Sequence, residues 1–285
     1  MSLESAGFSF SGDSQWFIEA TAQWYAAQNG PDHPSSFLQA VAVIANPHLA
    51  LWHSFNNQAP FDPVEWMYRV RQYGLNTWLI FLTRVKNVDA KLLSGGFYDA
   101  TNITPQEYLF RKIGPTNLRW CFGDWAAQNT GGMNYLSKEQ VKESYQGVNN
   151  WDFYRPAVWY GVNNGTGVEW FRPSVSNTAR GWAYNVFNIT NTLNTTYTFH
   201  LQGDAKGSQG APAFFIGRIV VLTPTAPLYH TMHMTSPLVG KISVSVTQND
   251  SQLMLVVVSV PQNFHGYQHY SYRVRINTAE EADEH

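Results

Sequence analysis

Leu253-Met254-Leu255-Val256-Val257-Val258-Ser259-Val260 is the stretch that decides how the second half of the chain folds. It is rich in β-branched side chains and apolar on both faces, which is typical of a strand at the centre of a sheet. Such a strand needs a neighbouring strand on each side and an apolar layer above and below. The stretch therefore predicts a layered β-structure in the C-terminal part of the chain.

The segments around this central strand alternate apolar and polar residues with a period of two. Residues 197–202 alternate Tyr, Phe and Leu with Thr, His and Gln, and residues 242–247 and 270–276 follow the same pattern. This alternation is typical of strands that bury one face and leave the other in water. Short strands separated by turn residues predict an antiparallel β-sandwich over residues 181–277.

Residues 13–148 carry helix signals instead. The sequences Thr104-Pro105-Gln106-Glu107 and Ser137-x-x-Gln140 are capping boxes that predict two helix starts. Residues 75–82 are apolar almost all round, which predicts a central buried helix. The fold class predicted is α+β, with a mainly helical N-terminal part followed by the antiparallel β-sandwich.

Two further segments lack both patterns. Residues 149–180 are rich in Asn, Gly, Pro and aromatic residues, and predict a connector that lies along the surface. Residues 278–285 contain the chain's only run of like charges, and predict a disordered acidic tail.

Composition limits the classes of partner and the cellular location. The 285 residues carry only 13% charged side chains and a net charge of -2, so nothing in the bulk charge favours nucleic acid. Cys121 is the only cysteine, which excludes an intrachain disulfide and fits a buried small residue better than a nucleophile. No apolar run is long enough for a membrane span. Low charge, many aromatic residues and Asn/Thr-rich turns favour a secreted or cell-surface protein.

The chain contains five Asn-x-Ser/Thr sequons. In an exported glycoprotein each of them predicts a surface position that can carry a glycan. The alternative is that such triplets arise by chance in a chain rich in Asn, Thr and Ser. The sequon asparagines are Asn102, Asn164, Asn188, Asn194 and Asn249.

One carboxylate stands out in the first predicted helix. Residues 16–25 place Glu19 among aromatic and small residues, with Ala22 three positions later. In thermolysin-like zinc peptidases a glutamate of this kind is the third zinc ligand, and the small residue lets two helices approach closely. The alternative is an ordinary carboxylate near a helix N-terminus, where the helix dipole favours it. The histidine pairs of the chain do not replace the missing ligands. His265/His269 and His230/His233 lie in segments that predict a turn or a strand rather than a helix, and His48/His53 are five residues apart, which does not place them on one helix face.

A resemblance to a known family gives Glu19 a specific expectation. Around residues 16–24, 73–82, 118–129 and 253–261, and in order from about Trp16 to Ile276, the chain resembles exported zinc-peptidase-like proteins. That gluzincin-like family is a domain of unknown function with a helical catalytic-like part and a C-terminal β-sandwich. The resemblance implies that residues 13–148 are a partial catalytic domain, and that Glu19 is the third zinc ligand.

The family's His-Glu-x-x-His motif, which supplies two ligands and the general base, is absent from this sequence. The resemblance therefore predicts a partial or degenerate zinc metallopeptidase-like protein that is inactive as it stands. It would bind zinc, and act on a peptide or protein substrate, only where the missing helix is supplied.

The predicted connector offers a function of another class. Trp159 and Trp170 lie beside Asn-rich turns, where flat rings can stack on sugar faces while polar side chains bind hydroxyl groups. This arrangement predicts a non-catalytic module that binds a glycan or a cell-surface partner. The alternative is that the two rings only anchor the connector to the flanking parts of the chain.

Overall fold

The N-terminal part of the protein is helical, as the sequence predicts. The structure is a computed structural model, and it describes residues 13–30, 37, 39–53, 65–99, 103–146, 159–163, 167–190, 194–247 and 252–278. None of the helices within these ranges is long and apolar enough to cross a membrane. The helices are α1 (Gln15–Asn29), α2 (Ala40–Ala45), α3 (Glu65–Gly74), α4 (Asn76–Ile80), α5 (Ala90–Asp99), α6 (Pro105–Ile113), α7 (Pro115–Thr130) and α8 (Lys138–Gln146).

Both predicted capping boxes begin a helix. The Thr104 hydroxyl accepts a hydrogen bond from the Glu107 backbone N–H (3.2 Å), and Pro105 occupies the first helical position of α6. At the start of α8, the Gln140 N–H donates to Ser137 Oγ (3.2 Å) while the Ser137 N–H donates to Gln140 Oε1 (3.1 Å). Side chains thus satisfy backbone groups that a helix start would otherwise leave unpaired.

The apolar segment 75–82 is the centre of the helical part, and its predicted burial is confirmed. It contains α4 and the first residues of a π-helical segment, Phe81–Val85. The Trp78 ring contacts Phe122 and Trp125 with centroid distances of 5.3 and 5.4 Å. These rings belong to the core that joins the helices to the sandwich.

Within the described ranges, ten strands form two sheets, which confirms the predicted sandwich. Sheet A has the order β1-β3-β9-β5-β6, and sheet B has the order β2-β10-β4-β8-β7. Neighbouring strands are antiparallel except β1, which is parallel to β3. The strands are β1 (Trp159–Asn163), β2 (Gly167–Phe171), β3 (Ala183–Thr190), β4 (Thr196–Gly203), β5 (Phe215–Leu222), β6 (Pro227–Thr231), β7 (His233–Ser236), β8 (Val239–Ser245), β9 (Gln252–Ser259) and β10 (Tyr272–Thr278).

The layering explains why β9 is apolar on both faces. Sheet A lies between the helices and sheet B, so alternate residues of β9 enter two different cores. Met254 and Val256 pack in the core shared with the helices, whereas Leu255 and Val257 pack in the core between the sheets. Sheet B has only one buried face, and its strands therefore alternate apolar and polar residues.

The segment 149–180 differs from the predicted surface connector. Two of its stretches form β1 and β2, each an edge strand of a different sheet. Edge strands tolerate polar and glycine-rich sequence because only one side of their backbone is paired. The polar and glycine-rich composition of this segment therefore gave no indication that two of its stretches form strands. Of the predicted tail, residues 279–285 lie outside the described part of the chain.

Candidate functional site

The outward face of sheet B carries a line of basic side chains. Arg275 on β10 lies opposite His200 on β4, which lies opposite Lys241 on β8. Lys241 in turn lies opposite His233 on β7. Residues directly opposite on paired strands project from the same face, and neighbouring strands are about 4.8 Å apart. We call these four residues the basic row.

Trp170 of β2 lies beside one end of the basic row. Its ring is half-buried, with the guanidinium carbons of Arg273 and Arg275 at 4.6 and 5.2 Å from the ring centroid. The His200 ring meets it edge-on at 6.4 Å. Arg273 also donates two hydrogen bonds to Gln202 Oε1, at 3.0 and 2.6 Å. Cation–π and hydrogen-bond contacts therefore fix an aromatic wall next to several polar donors.

A cleft lies beside the Trp170 ring. Its volume is about 410 Å³, within the range of small-molecule sites. It combines an aromatic ring, short apolar surfaces, an amide, a hydroxyl and an ammonium group. The lining residues are Trp170, His200, Leu201, Gln202, Thr235, Val239, Gly240 and Lys241.

The two charged side chains that contact the Trp170 ring are both basic. Among the residues that the structure describes, no carboxylate forms an ion pair with Arg273, Arg275 or Lys241, and Arg275 Nε is buried without a hydrogen-bond partner. Burial, and then the charges of Arg275 and Lys241, lower the pKa of His200. Arg275 and Lys241 thus lie on either side of His200, each directly opposite it.

The two tryptophans predicted to bind a ligand lie in different sheets. Trp170 lines the cleft, whereas Trp159 begins β1 at the edge of sheet A. Sequence reasoning selected Trp170 but not its neighbours in the basic row. The alternating basic residues of β10 were a visible signal, but only strand register shows what lies opposite them.

Glu19 lies half-buried on α1, and its carboxylate accepts a hydrogen bond from Gln15 Nε2 (2.9 Å) on the same helix. Within the described ranges, no three His, Cys, Asp or Glu side chains are grouped to bind a metal. Zinc in proteins takes at least three protein ligands. The described residues therefore do not by themselves fit a zinc site, and the role of Glu19 stays a prediction.

The sequons fall in different environments. Asn194 is exposed in the bend before β4, which suits a glycosylation site. Asn188 is half-buried in β3, and its side-chain oxygen accepts a hydrogen bond from Gln252 Nε2 (2.7 Å). Asn102, Asn164 and Asn249 lie outside the described residues.

A second cleft, of about 420 Å³, lies beside α7 and is lined partly by Lys86, Cys121 and Asp124. Burial raises the pKa of the half-buried Cys121 thiol. Because the thiolate is the reactive form, this environment does not activate the cysteine as a nucleophile. Both Asp124 oxygens are already bound by Lys86 and Arg218, which makes this cleft a weaker candidate than the one on sheet B.

Comparisons with known proteins assign no family to the chain, because no protein-family model and no curated protein matches it. Among solved structures, the VP2 subviral particle of infectious bursal disease virus is similar over 40% of this chain and 31% of its own. The sequence identity is 9% and the TM-score is 0.21. A similarity at this level supports no statement about function, and the zinc-peptidase-like resemblance stays a prediction.

Proposed function

We propose that this protein is a non-catalytic module of a secreted or cell-surface protein, and that it binds a glycan on the outward face of sheet B. The observation that carries the proposal is the position of Trp170 as one wall of a cleft that also offers polar donors. Sugars present apolar C–H faces and rings of hydroxyl groups. A flat aromatic surface next to amide, hydroxyl and ammonium groups matches both of these features.

The site is built on paired strands, which favours binding without rearrangement. β10 pairs with β4 from Tyr272 to Thr278, and β4 pairs with β8 from Thr196 to Gln202. Trp170 is further held by the guanidinium groups of Arg273 and Arg275. A ligand therefore meets side chains that are already ordered, so that less conformational entropy is lost on binding.

The substitution Trp170→Ala tests the proposal. We expect the protein to bind at least one oligosaccharide on an array of neutral and acidic glycans. We expect Trp170→Ala to weaken that binding about tenfold or more, because it removes both the stacking surface and the wall of the cleft. Titration calorimetry with the best array ligand measures the change in Kd.

Tyr25→Ala provides the matched control. Tyr25 is a large aromatic side chain that is 64% exposed on α1, in the helical part of the protein. Its removal is expected to leave glycan affinity unchanged. Equal affinities for the Trp170→Ala variant and the unaltered protein would rule out the proposed site, and the absence of binding across the whole array would rule out the function.

A second candidate function is the partial zinc-peptidase-like role of Glu19. It is supported by the surface around this residue, because Ala22 and Ala26, three and seven positions later on α1, are both exposed. Small exposed residues beside a half-buried carboxylate leave room for another helix to pack closely. We therefore propose that a His-Glu-x-x-His helix, where one is supplied, contacts this face of α1.

Zinc content tests the Glu19 hypothesis. A chain that carries a His-Glu-x-x-His helix next to α1 is expected to retain about one zinc ion after dialysis, because three ligands then complete the site. The Glu19→Ala variant of that chain is expected to lose the metal, whereas Glu139→Ala, which alters an acid of α8, is expected to keep it. Metal analysis by mass spectrometry gives the ratio, and zinc retained in Glu19→Ala would contradict the hypothesis.

A further inference from the structure

We infer that the ligand of the sheet B cleft is an acidic glycan, whose carboxylate or sulfate groups bind along the basic row while a sugar ring contacts Trp170. This inference rests on the proposed function and names the class of sugar. It depends on the register of four strands, on the lack of partner acids among the described residues and on the position of the cleft.

Register makes the basic row continuous. Arg275, His200, Lys241 and His233 lie opposite one another in sequence across β10, β4, β8 and β7. The row therefore crosses three strand-to-strand intervals, or roughly 14 Å in total. Its basic groups recur at intervals comparable to the length of one sugar residue, so that a chain with repeated acidic groups can contact several of them together.

The row has no acid to neutralise it among the described residues. Arg172, just after β2, shows the contrast: it donates to Asp204 at 2.9 Å, and both side chains are about half exposed. In the described part of the chain, Arg275 and Lys241 have no such partner. A bound carboxylate or sulfate would supply the missing acceptor for the positive charges of Arg275 and Lys241.

The net charge of -2 does not oppose this inference. Charges further apart than about 8 Å are largely screened at physiological ionic strength, so a ligand responds to the local row rather than to the chain average. The exposed Lys241 and His233 are accessible at one end, and the half-buried Arg275 lies at the other.

Trp170 and Gln202 favour an acidic sugar over other kinds of anionic ligand. The ring of Trp170 stands beside Arg273 and Arg275, and Gln202 is exposed on the same face. Threonine and serine side chains continue this face, with Thr198 and Ser243 hydrogen-bonded at 2.9 Å. A surface that alternates charge, amide, hydroxyl and one aromatic ring suits a hydroxylated acidic chain better than a peptide or a membrane.

The test compares matched sugars on the full chain. The probes are a galacturonic acid hexamer as the carboxylated ligand, a heparin-derived hexamer as the sulfated ligand, and a neutral galactose hexamer. We expect at least one acidic hexamer to bind about tenfold tighter than the neutral one in low salt, and to lose this advantage as salt is raised. The acidic hexamer that binds more tightly shows whether the site prefers carboxylate or sulfate groups.

Charge-removing variants locate the effect. Arg275→Gln together with Lys241→Gln is expected to weaken binding of the acidic hexamer about tenfold or more, and to weaken binding of the neutral hexamer much less. The exposed single variant Lys241→Gln repeats the test with little risk to folding. Arg172→Gln is the control, because it removes the same charge from a residue that is already paired, and no change in affinity is expected.

The possible failures are distinguishable. Equal affinity for the neutral and acidic hexamers would overturn this inference and leave the proposed function intact. Absence of binding to every hexamer and to the glycan array would overturn both. Acidic binding that survives Arg275→Gln/Lys241→Gln, or that an acidic peptide or a single-stranded oligonucleotide matches in affinity, would also overturn the inference.

Discussion

Acidification from pH 7.5 to pH 4.5 is expected to lower the free energy of unfolding by about 5 kcal/mol, through two buried histidines. His48 and His53 are 8% and 6% exposed, in the segment that follows α2. Burial, and then the charges of Arg180 and Arg71, lower the pKa of His48 to about 3. Burial, then Arg71, Arg180 and His48, lower the pKa of His53 to about 3 as well.

Arg71 is one of the two positive charges that lie near these imidazoles. Its side chain is 2% exposed and donates to the backbone carbonyls of Leu49, Ala50 and Leu51, at 3.2, 3.1 and 3.4 Å. Burial lowers the pKa of Arg71 to about 10, so the guanidinium remains charged at neutral pH. The carbonyls that Arg71 binds belong to the loop that carries both histidines. Protonation of either imidazole would place another positive charge near the buried guanidinium, which is unfavourable.

The sign of the effect follows from the two pKa values. Above pH 6.5 both imidazoles are neutral in the folded and the unfolded chain, and their contribution to stability is complete. Between pH 6.5 and about 3 the unfolded chain binds two protons that the folded chain excludes. Stability therefore falls by about 1.4 kcal/mol per pH unit for each histidine.

Urea unfolding at several pH values between 7.5 and 4.5 measures this slope. The double variant His48→Gln/His53→Gln is expected to lose most of the pH dependence, even where it is less stable at neutral pH, because glutamine does not titrate. His265→Gln is the control, since its side chain is exposed in the folded chain. A double variant with the slope of the unaltered protein would show that these histidines are not the cause.

The sequence predicted the layers of this fold well because local patterns encode them. The stretch 253–260, which is apolar on both faces, forms the central strand of a sheet with a core on each side. Residues 197–202, which alternate apolar and polar side chains, form a strand with one buried face and one face towards solvent. Period and composition report burial directly. They do so without any knowledge of which strand pairs with which.

The candidate site was predicted only in part, because its neighbours are far apart in sequence. Trp170 stood out as an aromatic residue in a polar segment. The position of Arg275 opposite His200, however, depends on the register of two strands that are separated by most of the sandwich sequence. No local pattern fixes that register. The same limit applies to β2 in segment 149–180, because its pairing partner β10 lies far along the chain.

Asp124→Ala is expected to destabilise the protein by about 3 kcal/mol, because it leaves a buried guanidinium without its counter-charge. Arg218 lies on β5 with a side chain only 4% exposed, and its Nε and Nη2 both donate to Asp124 Oδ1, at 3.0 and 2.6 Å. Its guanidinium carbon is also 4.9 Å from the centroid of the Trp120 ring. This pair joins α7 to sheet A.

The neighbouring residue allows this contact to form. A Cβ on Gly123 would lie 3.1 Å from Cγ2 of Ile216 and 3.6 Å from Nη2 of Arg218, so the glycine lets α7 approach β5 closely. In that tight space no other acid of the described chain forms an ion pair with Arg218. Nη1 of Arg218 is already buried without a partner. Removal of Asp124 would leave the whole group unpaired, which is the costly case for a buried charge.

Two further variants separate the buried pair from simple loss of a surface charge. Lys86 binds the other oxygen of Asp124 at 2.5 Å but is 28% exposed, so Lys86→Ala is expected to cost less than about 1 kcal/mol. The double variant Asp124→Ala/Arg218→Met is expected to be more stable than Asp124→Ala alone, because an apolar side chain of similar length replaces the orphaned charge. Urea unfolding of the unaltered protein and of these three variants measures the differences in stability. If Asp124→Ala cost no more than Lys86→Ala, or if the second substitution added to its cost, solvent rather than Asp124 would be neutralising Arg218.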